Sequence, residues 1–220
     1  MGWSEVAARS HARRLEQQGW LARYPMTRGQ GSLFVATRTG VRVLGLPLRP
    51  AGPPGPTWWA HHCGCAWTAA WLRLRDRRFI GDRELLDDPR WSGQTTWSDF
   101  KGYHHGRHRP DIVGLYPNGE GIPIEVELQQ KSLPRLRGIL SMYIDWRFDR
   151  RIGGVIYVCG DQDGADRIRR AGAQIGLVER LRIELLETIT AQTIEASEQM
   201  RAARKSRNAD ELQPTGDRPD

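Results

Sequence analysis

The sequence predicts an α/β fold, a mixed β-sheet flanked by helices, preceded by a partial winged helix-turn-helix. Three features lead there. Apolar helical stretches alternate with short strand patterns between Trp58 and Leu186. A helix followed by a basic two-stranded pattern fills the first 46 residues. A Pro-rich run over 47–57 separates the two, because that composition holds neither a helix nor a central strand. With 220 residues the chain has room for one ordinary domain and a smaller module.

In the module (1–46), Ser4 is the expected N-cap of a helix running to about Gln18, which Gly19 stops. Val6, Leu15, Ala8 and Ala12 form a narrow apolar stripe, and Arg9, His11, Arg13 and Arg14 crowd the other faces. A strand over Trp20–Tyr24, a turn at Arg28–Gly31, a strand over Ser32–Thr37 and a short helix around Val41 follow. Residues 1–50 carry 8 basic and 2 acidic side chains, a balance suited to a polyanion. Helix then basic ribbon is the second half of a winged helix, in which the helix enters a major groove and the wing touches phosphate. DNA is therefore the expected partner, contacted by Arg9, Arg13, Arg14, Arg28 and Arg38. A complete module has two more helices ahead of this one. The alternative is a plain α/β cap on the second domain.

The second domain (58–195) opens with an apolar helix, Trp58 to about Arg75, and a short helix near Asp82–Leu86. Strands at Asp111–Tyr116 and Ile122–Leu128 flank the tight turn Pro117-Asn118-Gly119. A helix over Ser132–Phe148, a strand over Gly154–Cys159, a helix over Gly164–Ala173 and a strand over Leu181–Leu186 complete it. Residues 196–220 are polar, of mixed charge and almost without large apolar side chains, and are expected to be a disordered tail.

Lys and Arg together number 33 against 26 Asp and Glu, and only Lys101, Lys131 and Lys205 are lysines. The arginine excess follows genomic base composition first, although guanidinium groups also suit bidentate phosphate contacts. No apolar run approaches the roughly 20 residues that span a bilayer, so a membrane location is not expected. Three cysteines without a secretory leader argue against a disulfide framework and for the cytoplasm.

The informative stretch is 108–131, HRPDIVGLYPNGEGIPIEVELQQK. In its second strand Glu125 and Glu127 alternate with Ile124, Val126 and Leu128, so the carboxylates share one face. A hairpin symmetric about Gly119 sets Asp111 opposite Glu127 and Val113 opposite Glu125, with opposed side chains about 5 Å apart. Three carboxylates on one face repel unless a cation or shared protons compensate. That oxygen density suits Mg²⁺ or Mn²⁺; the bland alternative is a solvated polar face on an edge hairpin. Lys131, just past the acids, is placed to orient water or to neutralise phosphate.

These residues resemble the PD-(D/E)XK nuclease superfamily, with Pro110-Asp111 as the PD element and Glu125-Val126-Glu127 as the (D/E)XK element. Glu127 stands where the superfamily has lysine, with Lys131 as its replacement. The resemblance implies an αβββαβ core, in line with the element order above, and an additional acid where Glu84 stands. More specifically the layout resembles the plasmid replication-relaxation family. The points of likeness are a winged-helix front, a Pro-rich linker, a helix opened by Trp59-Ala60-His61, then HRPD, EVEL and a lysine. This implies a metal-dependent DNA endonuclease or nickase, with Asp111, Glu125, Glu127 and Glu84 around the metal and Lys131 and His108 assisting. It also implies work beside plasmid replication or transfer proteins. The alternative is a non-catalytic DNA-binding replication accessory protein on the same fold.

His104, His105 and His108 precede Asp111, and His108, inside HRPD, is the chosen candidate of the three. His61, His62, Cys63 and Cys65 fit no standard zinc spacing and are expected to point in different directions from one helix. Tyr143 lies on a helix far from the motif in sequence and is not expected to be a nucleophile.

Overall fold

The computed structural model describes residues 5–26, 31–50, 52–53, 55–149 and 152–211. The expected cap Ser4 and the expected wing contact Arg28 lie outside them. Helix α1 (Glu5–Gln17) ends at Gly19, whose φ of +70° suits a residue without a Cβ. Strands β1 (Leu21–Pro25) and β2 (Ser32–Ala36) pair antiparallel from Leu21↔Ala36. Helix α2 (Arg38–Val43) follows, its first turn capped by the Thr37 side chain, which accepts from Gly40 N–H at 3.1 Å. Among the described residues up to 50 only Gly40 and Val41 are buried, so this unit has almost no core of its own.

The main body is a five-stranded mixed sheet flanked by helices, as the sequence predicts. Its strands, in spatial order, are β3 (Arg78–Gly81), β6 (Ile112–Leu115), β7 (Gly121–Glu127), β8 (Val155–Cys159) and β9 (Leu181–Leu185). Strand β6 runs antiparallel to both β3 and β7, and β7, β8 and β9 are mutually parallel. The parallel links are made by α5 (Leu133–Asp149) and α6 (Gln162–Gln174), and parallel neighbours require such crossovers. Apolar side chains alternate along β7 and β8. Ile124, Val126, Ile156 and Val158 pack with Trp71 and Leu72 of α3 (Trp59–Arg73) and Ile189 of α7 (Leu186–Glu211). On the other face Val155 and Tyr157 pack with Leu136, Leu140 and Tyr143 of α5 and Ile168 of α6.

Three elements depart from expectation. Strand β3 and the separate hairpin of β4 (Gly93–Asp99) and β5 (Gly102–His108) were not foreseen, and His104 and His105 stand on a strand, not in a loop. The hairpin is polar and half-exposed and takes its order from tertiary contact. It lies against α5, where a Cβ at Gly138 would meet the Thr96 carbonyl oxygen at 2.5 Å. The chain from 196 to 211 continues α7 instead of forming a tail. Buried Ile189 and Thr193 anchor that helix, and its Ala, Gln, Glu and Arg content favours helix without apolar periodicity. Residues 212–220 of the expected tail lie outside the described residues. Among the described residues no helix is long and apolar enough to cross a membrane.

Candidate functional site

The hairpin register decides which acids meet. Pairing of β6 with β7 ends at Ile112↔Ile124, and the Asp111 N–H donates to the Ile124 carbonyl at 3.1 Å. Asp111 therefore sits beside 124–125 and not opposite Glu127. The reason is the turn, which is centred one residue earlier than the symmetric hairpin requires: Tyr116 N–H bonds Glu120 C=O, and Gly119 takes φ +82°. One residue at the turn moves the pairing by two along the strand.

Three small clusters result. In the first, Asp111 Oδ2 accepts from Val126 N–H at 2.8 Å, and Asp111 Oδ1 lies 3.1 Å from His61 Nε2. The same Nε2 lies 3.6 Å from Cys65 Sγ, while His61 Nδ1 reaches Val126 C=O at 3.1 Å. The hydrogen bond to Asp111 and then that to Cys65 outweigh burial and push the His61 pKa up to about 10. Burial pushes the Cys65 thiol up as well. His61 and Cys65 are four residues apart on α3 and share a face, contrary to the divergence expected of this His/Cys run.

In the second cluster, Glu125 is 2% exposed, and its Oε1 accepts from His108 Nε2 at 2.7 Å and from the Tyr143 hydroxyl. Burial raises the Glu125 pKa, but the charge and hydrogen bond of His108, with Lys131 and Tyr143 behind them, hold it below the ordinary carboxylate value. Glu125 thus stays ionised inside the sheet. Tyr143 is a buried donor to it, its own pKa raised well above the usual phenol value, first by burial and then by Glu125. The sequence carried no signal for this role, since Tyr143 meets Glu125 only through the packing of α5.

In the third, Glu127 pairs with the Lys131 ammonium and accepts from Lys131 N–H at 3.2 Å. Burial raises the Glu127 pKa, against the pull of Lys131. This pair lines a narrow crevice with Gly160, Asp161 and Arg167. Neither member lines the clefts at Asp111 described next.

Asp111 and Asp82 both line two open clefts. One, of about 630 Å³, is walled by Trp58, His61, His62, Cys65 and Arg83. The other, of about 600 Å³, is walled by Arg107, His108, Arg109, Asp87 and Asp88. Asp82, at the start of α4 (Asp82–Leu85), was missed by the sequence reading. The residue singled out there, Glu84, is exposed and caps α4 by accepting from Gly81 N–H at 2.9 Å.

His104 bonds Asp99 Oδ1 at 2.9 Å and stacks on Trp97, a contact that holds the hairpin. In the N-terminal unit Arg9 pairs with Glu5 at 2.5 Å and Arg14 contacts His11 Nδ1 at 3.1 Å, while Arg13 and Arg38 are exposed.

A hard divalent ion needs converging oxygens. Asp111, Glu125 and Glu127 do not offer them in this arrangement. The one group of three ligand atoms found within 4.8 Å of one another among the described residues is His61, Cys65 and Asp111. The charge compensation expected from a metal comes from within the chain: His61 on Asp111, His108 on Glu125 and Lys131 on Glu127. The chemistry open to the cluster as it stands is acid–base. An ionised, buried carboxylate orients His108 at the cleft wall.

No protein-family model, curated protein or solved structure matches the chain. The fold and the geometry above therefore carry the functional argument.

Proposed function

We propose that the chain is a DNA-nicking protein of the PD-(D/E)XK nuclease-like class, acting in the cytoplasm in replication or mobilisation of a plasmid or other mobile element. With the β4–β5 hairpin set aside, the order α3, β3, β6, β7, α5, β8 supports the αβββαβ reading. The observation that carries the function is that one HRPD segment brings His108 to the ionised Glu125 at 2.7 Å and holds Asp111 three residues further on, bonded through its N–H to Ile124 next to Glu125. His108 and Asp111 both stand at the wall of a cleft that also holds Arg107 and Arg109. In this reading His108 moves a proton to or from the attacking or leaving oxygen, Glu125 holds its orientation, and the arginines seat phosphate. Mg²⁺ or Mn²⁺ is the cofactor that the reading implies. Its seat on Asp111 and Glu125 requires His61 and His108 to give up those carboxylates.

A second reading, a DNA-binding replication accessory protein without turnover, is favoured by one observation: each of the three acids already has a basic side chain as partner in the chain. Supercoiled plasmid incubated with the full chain and Mg²⁺ or Mn²⁺ separates the two. Nicked circles with wild type and none with Asp111→Ala support the first reading. Retained DNA binding with no nicking in either metal supports the second.

A further inference from the structure

Around Asp111 the donor set changes character. His61 Nε2 faces two potential ligand atoms at once, Cys65 Sγ at 3.6 Å and Asp111 Oδ1 at 3.1 Å. A Cys-His-acid catalytic triad uses opposite ring nitrogens for thiol and carboxylate, and here both meet the same nitrogen. The other nitrogen, Nδ1, is directed at the Val126 carbonyl at 3.1 Å. That contact keeps a proton on Nδ1, so that loss of the Nε2 proton leaves a lone pair at Nε2, the arrangement typical of a metal-bound imidazole. Asp111 is held in the same way, its Oδ2 tied to Val126 N–H at 2.8 Å and Oδ1 left toward the histidine.

We propose that His61 Nε2, Cys65 Sγ and Asp111 Oδ1 form a three-ligand site for a zinc-class divalent ion. The spacing fits. Tetrahedral bonds of about 2.0 Å to N and O and about 2.3 Å to S set N···S near roughly 3.5 Å and N···O near roughly 3.3 Å. A thiolate with an imidazole selects zinc or cobalt over magnesium. All three residues line the cleft of about 630 Å³, so the fourth position opens onto it and can take water or an anionic oxygen. Loading displaces the Cys65 thiol proton and the proton on His61 Nε2. The site shares Asp111 with the nicking reading but not its other groups: Glu125 lies toward α5, and metal binding through Cys65 does not depend on DNA cleavage.

The test uses the full, reduced, metal-stripped chain and Co²⁺ as the probe. One equivalent should produce a near-ultraviolet thiolate-to-cobalt band with tetrahedral visible bands, and Zn²⁺ should bleach both. Cys63→Ser and Glu125→Gln should keep the band. Cys65→Ser should abolish it and weaken Zn²⁺ binding by more than the roughly 10–100-fold typical of removing a group that only orients a ligand. A wild-type chain without the band, or a band that survives Cys65→Ser, overturns the proposal. A second measurement needs no variant: Zn²⁺ should protect Cys65 but not Cys63 from iodoacetamide, read by mass spectrometry. Equal alkylation of Cys65 with and without Zn²⁺ overturns the proposal independently. A chain that binds Co²⁺ through Cys65 but leaves plasmid uncut keeps this site and removes the nicking reading.

Discussion

His61 and Asp111 meet at 3.1 Å and are both held by one residue, Val126, whose carbonyl faces the imidazole and whose N–H donates to the carboxylate. With an acceptor at each ring nitrogen, the metal-free protein favours the doubly protonated imidazole. Its pKa of about 10 lies above the ordinary 6.5, so the stability that the pair contributes is present in full below pH 6.5. That stability is lost as the pH rises through about 10. In metal-free protein the His61 ring should stay protonated at pH 8 by NMR, whereas in Asp111→Asn it should titrate in the usual histidine range. The wild-type melting temperature should fall more than that of the variant between pH 7 and 10.

Glu125 depends on the donors around it. Tyr143→Phe removes one hydroxyl from a buried carboxylate and should destabilise the fold by about 1–3 kcal/mol in urea unfolding. Because the Glu125 pKa is depressed in the fold, its contribution is present above the ordinary 4.5 and is lost as the pH falls below that. The acid-unfolding midpoint of Tyr143→Phe should therefore move to higher pH.

Lys131 stabilises Glu127, which is 8% exposed. Lys131→Met leaves that carboxylate uncompensated and should cost about 1–3 kcal/mol at pH 7, less than a fully buried pair because the lysine is partly exposed. Burial already raises the Glu127 pKa, so the loss should shrink as the pH falls and Glu127 takes up a proton. Adding Glu127→Gln to Lys131→Met should recover most of it at pH 7. A double variant as unstable as the single one would show that compensation of the Glu127 charge is not what Lys131 contributes.

The strands that bury both faces were legible from their alternation, and so were the helices between them: Ile124, Val126 and the β8 run read as core because they are core. The polar hairpin was not, since Thr95, Thr96 and Trp97 become a strand only against α5. For the site, the sequence identified Asp111, Glu125, Glu127, Lys131 and His108 as one neighbourhood but could not partition them. Partition depends on the register of the 116–120 turn, and a shift of one residue there changed every pairing. Cys65 and Tyr143 enter through the packing of α3 and α5 on the sheet, which no local pattern encodes.

Gly138 tests the hairpin docking. In a solvated helix Gly→Ala gains up to about 1 kcal/mol. Here the new Cβ would press on the Thr96 carbonyl oxygen at 2.5 Å, and backbone has to move. Gly138→Ala should therefore destabilise by about 1–3 kcal/mol, with the sign of the change as the readout.

The arginines divide between two surfaces, and the salt dependence of the proposed DNA binding distinguishes them. Arg107 and Arg109 line the cleft beside His108 and Asp111, whereas Arg13 and Arg38 lie exposed on the N-terminal unit. Each phosphate that a variant no longer neutralises should reduce the slope of log K against log salt by about 0.9. Arg107→Gln with Arg109→Gln should therefore flatten the slope by about 2 if the cleft seats the duplex, and it should lower the nicking rate with it. Arg9→Gln should change little, because Glu5 already neutralises that guanidinium at 2.5 Å. A slope that responds only to Arg13→Gln and Arg38→Gln would place DNA on the N-terminal unit and away from the acids. That result would favour binding without turnover. A slope that responds to neither pair would leave the positive charge of residues 1–50 to base composition, and DNA would no longer be the partner.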